Sequence, residues 1–181
     1  MEDCEIITKC LSGQMEAFEL LVKKYQSGLL SLAWHVLGDK EEARDITQEA
    51  FIQSYKNLDR FDMEKSFKNW ITAIAYRRCL DRIKKQKVRN RHFRSARFED
   101  CVYFPHNGNE RLEDSDLFQT HLNKLNPNER MTLSLKINHG YSSKEIAEVL
   151  NSSESTVRVY IFNAKRKLKK LLKERENVQA L

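Results

Sequence analysis

Tyr141-Ser142-Ser143-Lys144-Glu145-Ile146-Ala147-Glu148-Val149-Leu150, then Asn151-Ser152-Ser153, then Glu154-Ser155-Thr156-Val157-Arg158-Val159-Tyr160-Ile161, is the stretch that decides the fold. Ser142-x-x-Glu145 has the capping-box pattern, in which two side chains satisfy backbone N–H groups at a helix start. It predicts a short helix over Lys144–Leu150 with Ile146, Ala147 and Leu150 turned inward. The small Ala147 lets a second helix come close. Asn151-Ser152-Ser153 reverses the chain and caps a long last helix, to about Arg175, that buries Val157, Ile161, Ala164 and Leu168. Two helices joined by so short a turn form a helix-turn-helix, whose second helix lies in the DNA major groove. Its outward residues near the start are Glu154, Ser155, Arg158, Val159 and Asn163, and Lys165, Arg166, Lys167, Lys169 and Lys170 follow on the basic face. Ser155 and Arg158 suit base edges or phosphates; the later cations suit phosphates.

Upstream of this motif the reading stays helical. Leu125-Asn126-Pro127 ends one helix and starts another, which carries Met131, Leu133, Leu135 and Ile137 and stops at Asn138-His139-Gly140. In the first half, Phe18, Leu21, Val22, Tyr25, Leu29, Leu32 and Val36 recur at helical spacing. Gly38-Asp39 ends that helix and caps the next, from about Lys40 to Asn57, whose apolar face is Ala43, Ile46 and Ala50, with Leu58 beyond. A polar stripe, Glu41, Asp45, Gln48, Glu49 and Ile52, lies on another face of it. After the loop Asp59–Glu64, a long helix starts near Ser66, puts Phe67, Trp70, Ile71, Ile74 and Ala75 on one side, and continues into the basic run Arg82–Arg97. Periodicity fades over about 88–111, where Phe104-Pro105-His106-Asn107-Gly108-Asn109 is a breaker cluster. The linker is not a neutral spacer, since it holds Phe93, Phe98, Val102, Tyr103 and Phe104.

The expectation is therefore an all-α chain of two small helical domains, 1–87 and 112–181, joined by a linker over 88–111, the C-terminal domain being a helix-turn-helix. Composition agrees: 181 residues with only 5 Gly and 2 Pro argue against a turn-rich β fold. The net charge of +6 is unevenly spread. Residues 1–62 carry −5, 63–98 carry +10, 99–127 carry −4 and 128–181 carry +5. Two basic blocks at two helical motifs suggest two separate polyanion-binding surfaces.

The N-terminal half carries the more specific signal, because repressors and activators also use helix-turn-helix domains. Glu41-Glu42-Ala43-Arg44-Asp45-Ile46-Thr47-Gln48-Glu49-Ala50-Phe51, then Leu58-Asp59-Arg60-Phe61-Asp62, then Phe67-Lys68-Asn69-Trp70-Ile71-Thr72-Ala73-Ile74-Ala75-Tyr76-Arg77-Arg78 follow in that order. With Leu125–Arg130, Tyr141–Leu150, Ser155–Arg158 and Ala164–Leu168, they resemble the extracytoplasmic-function (ECF) sigma factors of the sigma-70 family. The resemblance covers roughly 14–87 and 117–173. It implies a non-enzymatic subunit that brings core RNA polymerase to promoter DNA.

The same resemblance assigns surfaces. Glu41, Asp45, Gln48, Glu49 and Ile52 would grip the polymerase clamp, where acids and amides suit a basic partner. Arg60, Phe61, Met63, Lys65, Lys68, Tyr76, Arg77 and Lys84 would melt and hold the minus-ten element, Phe61 and Met63 as apolar walls of a pocket for an unstacked base. Strand opening needs such a pocket, stacking surfaces and cations along the displaced strand. For Phe67 and Trp70, core packing is expected instead. Ser155, Thr156, Arg158, Val159, Asn163 and Arg166 would read the minus-thirty-five element. Tyr160, Phe162, Asn163 and Arg77 depart from the family's usual residues. The resemblance further implies an anti-sigma factor as a partner, and a linker that threads towards the nascent-RNA path.

No cofactor or metal is expected. Cys4, Cys10, Cys79 and Cys101 form no CxxC pair and no zinc spacing, so they are expected to be reduced thiols of a cytoplasmic protein. The acidic start Met1-Glu2-Asp3-Cys4-Glu5 lacks the shape of a signal peptide, and the apolar stretch Leu29–Leu37 is too short to cross a bilayer. A dimeric regulator would require a self-complementary surface. A nucleic-acid enzyme would require a Ser/His/Asp set, a glycine-rich phosphate loop or paired metal-binding carboxylates, which the sequence does not display.

Overall fold

The structure, a computed structural model, describes residues 2–94 and 120–179. Its helices are α1 (Asp3–Leu11), α2 (Phe18–Leu37), α3 (Lys40–Lys56), α4 (Phe67–Arg94), α5 (Pro127–Ile137), α6 (Ser143–Leu150) and α7 (Glu154–Gln179). Short 3-10 turns at Met15–Ala17 and Leu58–Arg60 join α1 to α2 and precede the loop before α4. Among the described residues there is no strand.

The boundaries follow local chemistry. α2 ends because Gly38 takes a left-handed φ of 78°, open to glycine at little cost. Asp39 then caps α3 by accepting from the Glu42 amide at 2.9 Å. Asn126 and Glu129 form a capping box at the start of α5, with Pro127 at its first turn. Ser142 and Glu145 form the expected box for α6. Asn151, at φ 49°, makes the turn, and Ser153 Oγ accepts from the Thr156 amide at 3.1 Å to begin α7. α1 is an element the sequence expectations do not contain. Its Ile6, Ile7 and Cys10 are buried on one side.

One core lies among α1–α4. Ile7, Leu21, Phe67 and Ile71 are at most 2% exposed, and Ala50, Phe51, Leu58 and Phe61 complete it. A second core runs without interruption through both halves of the chain. Leu32, Val36, Ala73, Tyr76, Cys79 and Ile83 belong to the same buried cluster as Met131, Leu135, Tyr141, Ile146, Ala147, Val149 and Val157. The two halves thus close on one another. Helix α5 lies between them, which explains its pattern. Met131 and Leu135 share one face and Leu133 lies on another, and all are buried because α2 covers one side and α7 another. Ile137, expected among the apolar residues of this helix, is exposed at its end.

The two buried charged groups of α5 are paired. Arg130, 4% exposed, donates from Nη1 to the Val36 carbonyl at 2.7 Å, from the same atom to Asn123 Oδ1 at 3.2 Å, and from Nε to the Leu125 carbonyl at 3.1 Å. Val36 sits in the last turn of α2, whose carbonyls have no partner within the helix and favour a cation. Burial lowers the guanidinium pKa to about 10, so it stays charged at neutral pH. Glu129, also buried, takes the Lys167 ammonium at 2.8 Å.

The sequence separates two domains by a linker at 88–111, and α4 continues to Arg94. The apolar linker residues Phe98, Val102, Tyr103 and Phe104 lie outside the described residues, as does the expected second-domain start near Leu112.

Candidate nucleic-acid interface

The polar stripe of α3 is formed as expected in its larger part. Glu41, Asp45, Gln48 and Ile52 are exposed, Ile52 by 55%. An isoleucine so exposed amid acids and an amide makes an amphipathic strip on a helix whose other face is core. Glu41 is paired with Arg44 on the same helix. Glu49 differs. It is half-buried, and Arg82 of α4 reaches it at 3.3 Å while also pairing with Glu42. Glu49 therefore helps clamp α3 to α4.

The loop after α3 and the start of α4 carry the second set. Arg60, Met63 and Lys65 are exposed around the loop, and Arg77 and Lys84 are exposed along α4. Phe61 is a correction. Expected as a pocket wall, it is 7% exposed, edge-on to Phe67 at 5.6 Å and tilted on Trp70 at 5.0 Å. It is a core side chain that anchors the loop. Phe67 is buried with it, as expected. Cys4 of α1 donates to the Met63 carbonyl at 3.7 Å, so α1 braces the same loop.

Lys68 and Tyr76 are not free on the surface either. The Lys68 ammonium lies 4.2 Å from the centroid of the Tyr141 ring. Tyr76 is 4% exposed, its hydroxyl donates to Asn128 Oδ1, and burial pushes its pKa far up. The sequence contained no signal for this, because the covering residues belong to α5, α6 and the turn between them.

The helix-turn-helix presents its third set outward. Ser155, Arg158, Val159 and Phe162 are exposed on α7, Val159 by 54% and Phe162 by 64%. Arg158 is held loosely by Glu154 at 3.6 Å. Arg166 lies over the Phe162 ring, 5.8 Å from its centroid. Thr156 is partly engaged at the helix start, 2.9 Å from Ser153 Oγ, and Asn163 is half-buried. Tyr160, which departs from the family pattern, accepts from Asn128 Nδ2 at 2.9 Å, so it serves packing.

Comparison with known proteins places this architecture. The family model for Sigma-70 region 2 matches residues 21–89, and that for Sigma-70, region 4 matches residues 115–168. The ECF RNA polymerase sigma factor SigW of Bacillus subtilis is 32% identical, over 93% of this chain and 95% of its own length. This chain is an ECF sigma factor of the sigma-70 family. It therefore directs promoter-specific initiation of transcription by RNA polymerase. The RNA polymerase sigma-H factor of Pseudomonas aeruginosa is 29% identical, over 94% of each chain. Two solved structures share the fold at a TM-score of 0.70. CnrH, in complex with the cytosolic domain of CnrY, is 22% identical and covers 95% of this sigma factor and 97% of its own chain. RpoE of Bartonella quintana, in complex with the anti-sigma factor NepR, is 21% identical and covers 86% and 96%.

Among the described residues no three His, Cys, Asp or Glu side chains converge as a metal site. Cys4, Cys10 and Cys79 are free thiols, and burial pushes the Cys79 thiol up to about 12. No described helix is long and apolar enough to cross a membrane.

Proposed function

We propose that the sigma factor divides its task between domains 1–87 and 112–181, the linker 88–111 joining them. The first binds core RNA polymerase through Glu41, Asp45, Gln48 and Ile52. The same domain holds the opened minus-ten strand with Arg60, Met63, Lys65, Lys68, Tyr76, Arg77 and Lys84. The second reads the minus-thirty-five element with Ser155, Arg158, Val159, Asn163 and Arg166. The observation that carries this reading is the exposure of Arg158 and Val159 at the start of a capped recognition helix, on a chain whose α3 displays an unpartnered Asp45–Gln48–Ile52 strip.

The role is proposed to be non-enzymatic and cytoplasmic, since its substrates are polymerase and chromosomal DNA. An anti-sigma factor is a further proposed partner, by analogy with the complexes in which CnrH and RpoE were solved. In-vitro transcription with core polymerase and sequencing of the start sites tests the reading. Initiation should cluster at sites sharing one upstream and one downstream element. Random starts, or tight operator binding by a free dimer, would refute it.

A further inference from the structure

The loop between the turn Leu58–Arg60 and α4 is gripped at its start, its tip and its end, and each grip leads back to α1. At the start, Leu58 and Phe61 share a buried cluster with Ile6, Ile7 and Cys10, and α1 packs on the turn itself. At the tip, the Cys4 thiol donates to the Met63 carbonyl at 3.7 Å. At the end, the Tyr25 ring lies 5.8 Å from that of Phe67, the first residue of α4, and the Tyr25 hydroxyl donates to Asp3. Asp3 also takes the Lys24 ammonium at 2.6 Å, and its side chain is only 19% exposed. Burial and the neighbouring Asp3 carboxylate push the Tyr25 pKa up to about 12, so the hydroxyl keeps its proton.

The loop has little of its own to fix it. Asp62 Oδ1 accepts from the Glu64 amide at 3.1 Å and the Asp62 carbonyl accepts from the Lys65 amide at 2.9 Å, which makes one local turn. Met63, Glu64 and Lys65 are exposed. A side chain that reads a base has to be held to within about 0.5 Å by its supporting shell. Core filling accounts for Ile6, Ile7 and Cys10 of α1. It does not account for Asp3 and Cys4, whose polar groups reach out of the helix towards the two later grips. These residues also lie ahead of the stretch 21–89 that marks the chain as a sigma factor.

We propose that α1 braces the minus-ten loop, with Asp3, Cys4 and Tyr25 as positioning residues that hold Arg60, Met63 and Lys65 in the geometry that tells one base from another. Asp3 acts through Tyr25 and Phe67, and Cys4 acts through the Met63 backbone; none of the three touches DNA. The brace sets selectivity more than affinity. A cation on a phosphate tolerates a displaced loop, whereas a contact to a base edge does not. This inference rests on the proposed minus-ten reading of the loop.

The test uses holoenzyme assembled from core polymerase and full-length wild type, Tyr25→Phe, Asp3→Ala, Asp3→Asn or Met63→Ala. Initiation is measured on promoters with single substitutions across both elements, and core affinity is titrated alongside. Tyr25→Phe keeps the ring on Phe67 and loses only the bond to Asp3. It should narrow the preference for the matched minus-ten element about three- to ten-fold, the worth of one hydrogen bond. The preference at minus thirty-five and the affinity for core should not change. Asp3→Ala should act alike; the Lys24 charge it frees strengthens binding to matched and mismatched promoters equally, so the ratio is the readout. Asp3→Asn, whose amide oxygen still accepts from Tyr25, should keep most of the preference. Loss of both preferences together with core affinity would mean general loosening, and that result or an unchanged minus-ten preference overturns the brace. Met63→Ala separates the two readings. If it narrows the minus-ten preference while Tyr25→Phe and Asp3→Ala do not, the loop reads DNA and the brace is overturned. If Met63→Ala leaves that preference intact, the minus-ten reading of the loop falls, and the brace with it.

Discussion

Arg82 of α4 reaches Glu49 of α3 at 3.3 Å and pairs with Glu42 as well, with its own side chain only 24% exposed. One residue of the polymerase stripe is thereby enlisted in holding two helices together, while Asp45 and Gln48 on the same helix stay open.

This split predicts that two charge reversals on one stripe behave differently. Asp45→Lys should abolish binding to core polymerase and shift stability by no more than about 0.5 kcal/mol, as exposed substitutions do. Glu49→Lys should also weaken core binding. It should cost an additional ~1–2 kcal/mol, because a lysine then faces the partly buried Arg82. Core-binding titrations and thermal melts of both variants decide the matter. If Asp45→Lys binds core normally, the interface lies on another face.

The recognition helix predicts a base contact and a phosphate contact at separate positions. Arg158 is exposed in the second turn of α7, within reach of a guanine edge, and its tie to Glu154 is a loose 3.6 Å. Arg158→Ala should cost about 1–3 kcal/mol and relax preference at one or two base pairs of the upstream element. Lys169→Ala should weaken binding to all sequences alike. Competition of polymerase carrying each variant against a randomised upstream element reads both effects. If Arg158→Ala lowers affinity without broadening preference, Arg158 is a phosphate contact.

What was legible in the sequence was what is local. Ser142, Glu145, Asn151 and Ser153 cap and turn by contacts three or so residues away, so the helix-turn-helix could be read from spacing alone. The Asp39 cap and the Asp45–Ile52 strip follow for the same reason. Contacts between distant segments left fainter marks. Asn69, Thr72 and Tyr76 look like an ordinary polar helix face, and only their burial against α5, α6 and Tyr141 gives them away. The one hint was Met131, Leu133 and Leu135, whose spacing suits neither one helix face nor a surface helix and signals burial on all sides. Phe61 was misread because an aromatic in a loop resembles a stacking platform. Its edge-on contact with Phe67 depends on the fold of α4.

Arg130 predicts a large stability effect away from any binding surface. Its guanidinium serves carbonyls of Val36 and Leu125 and the Asn123 amide oxygen from a buried position. Arg130→Ala should destabilise by about 3–5 kcal/mol, because it opens a cavity and leaves buried acceptors unpaired. Arg130→Lys should recover little of this, since an ammonium cannot span three acceptors set out for a planar fork. Urea unfolding of the three proteins measures it. A lysine variant as stable as wild type would show that charge alone matters here.

The last prediction concerns acid. His35 of α2 lies with Nδ1 2.9 Å from Ser134 Oγ and 3.4 Å from the Asn138 amide nitrogen, so it sits in the junction between the halves, beside the Trp34 ring. His139 lines the adjacent cleft with Tyr25, Lys68, Thr72 and Tyr141. Burial lowers the pKa of both histidines, the repulsion of His139 adding to that of His35 and the Lys68 ammonium to that of His139. A base whose folded pKa lies below its ordinary value of 6.5 is favoured neutral by folding. The stability it contributes is fully present above that pH and is lost as pH falls below it, since the unfolded or opened chain takes the proton first. The closed form should therefore weaken from pH 7.5 to 5.5, with a lower melting temperature and a larger radius of gyration. His35→Gln keeps polar partners for Ser134 but has no proton to gain, so its loss over the same interval should be smaller. Equal losses in the two proteins would place the acid sensitivity elsewhere in the chain.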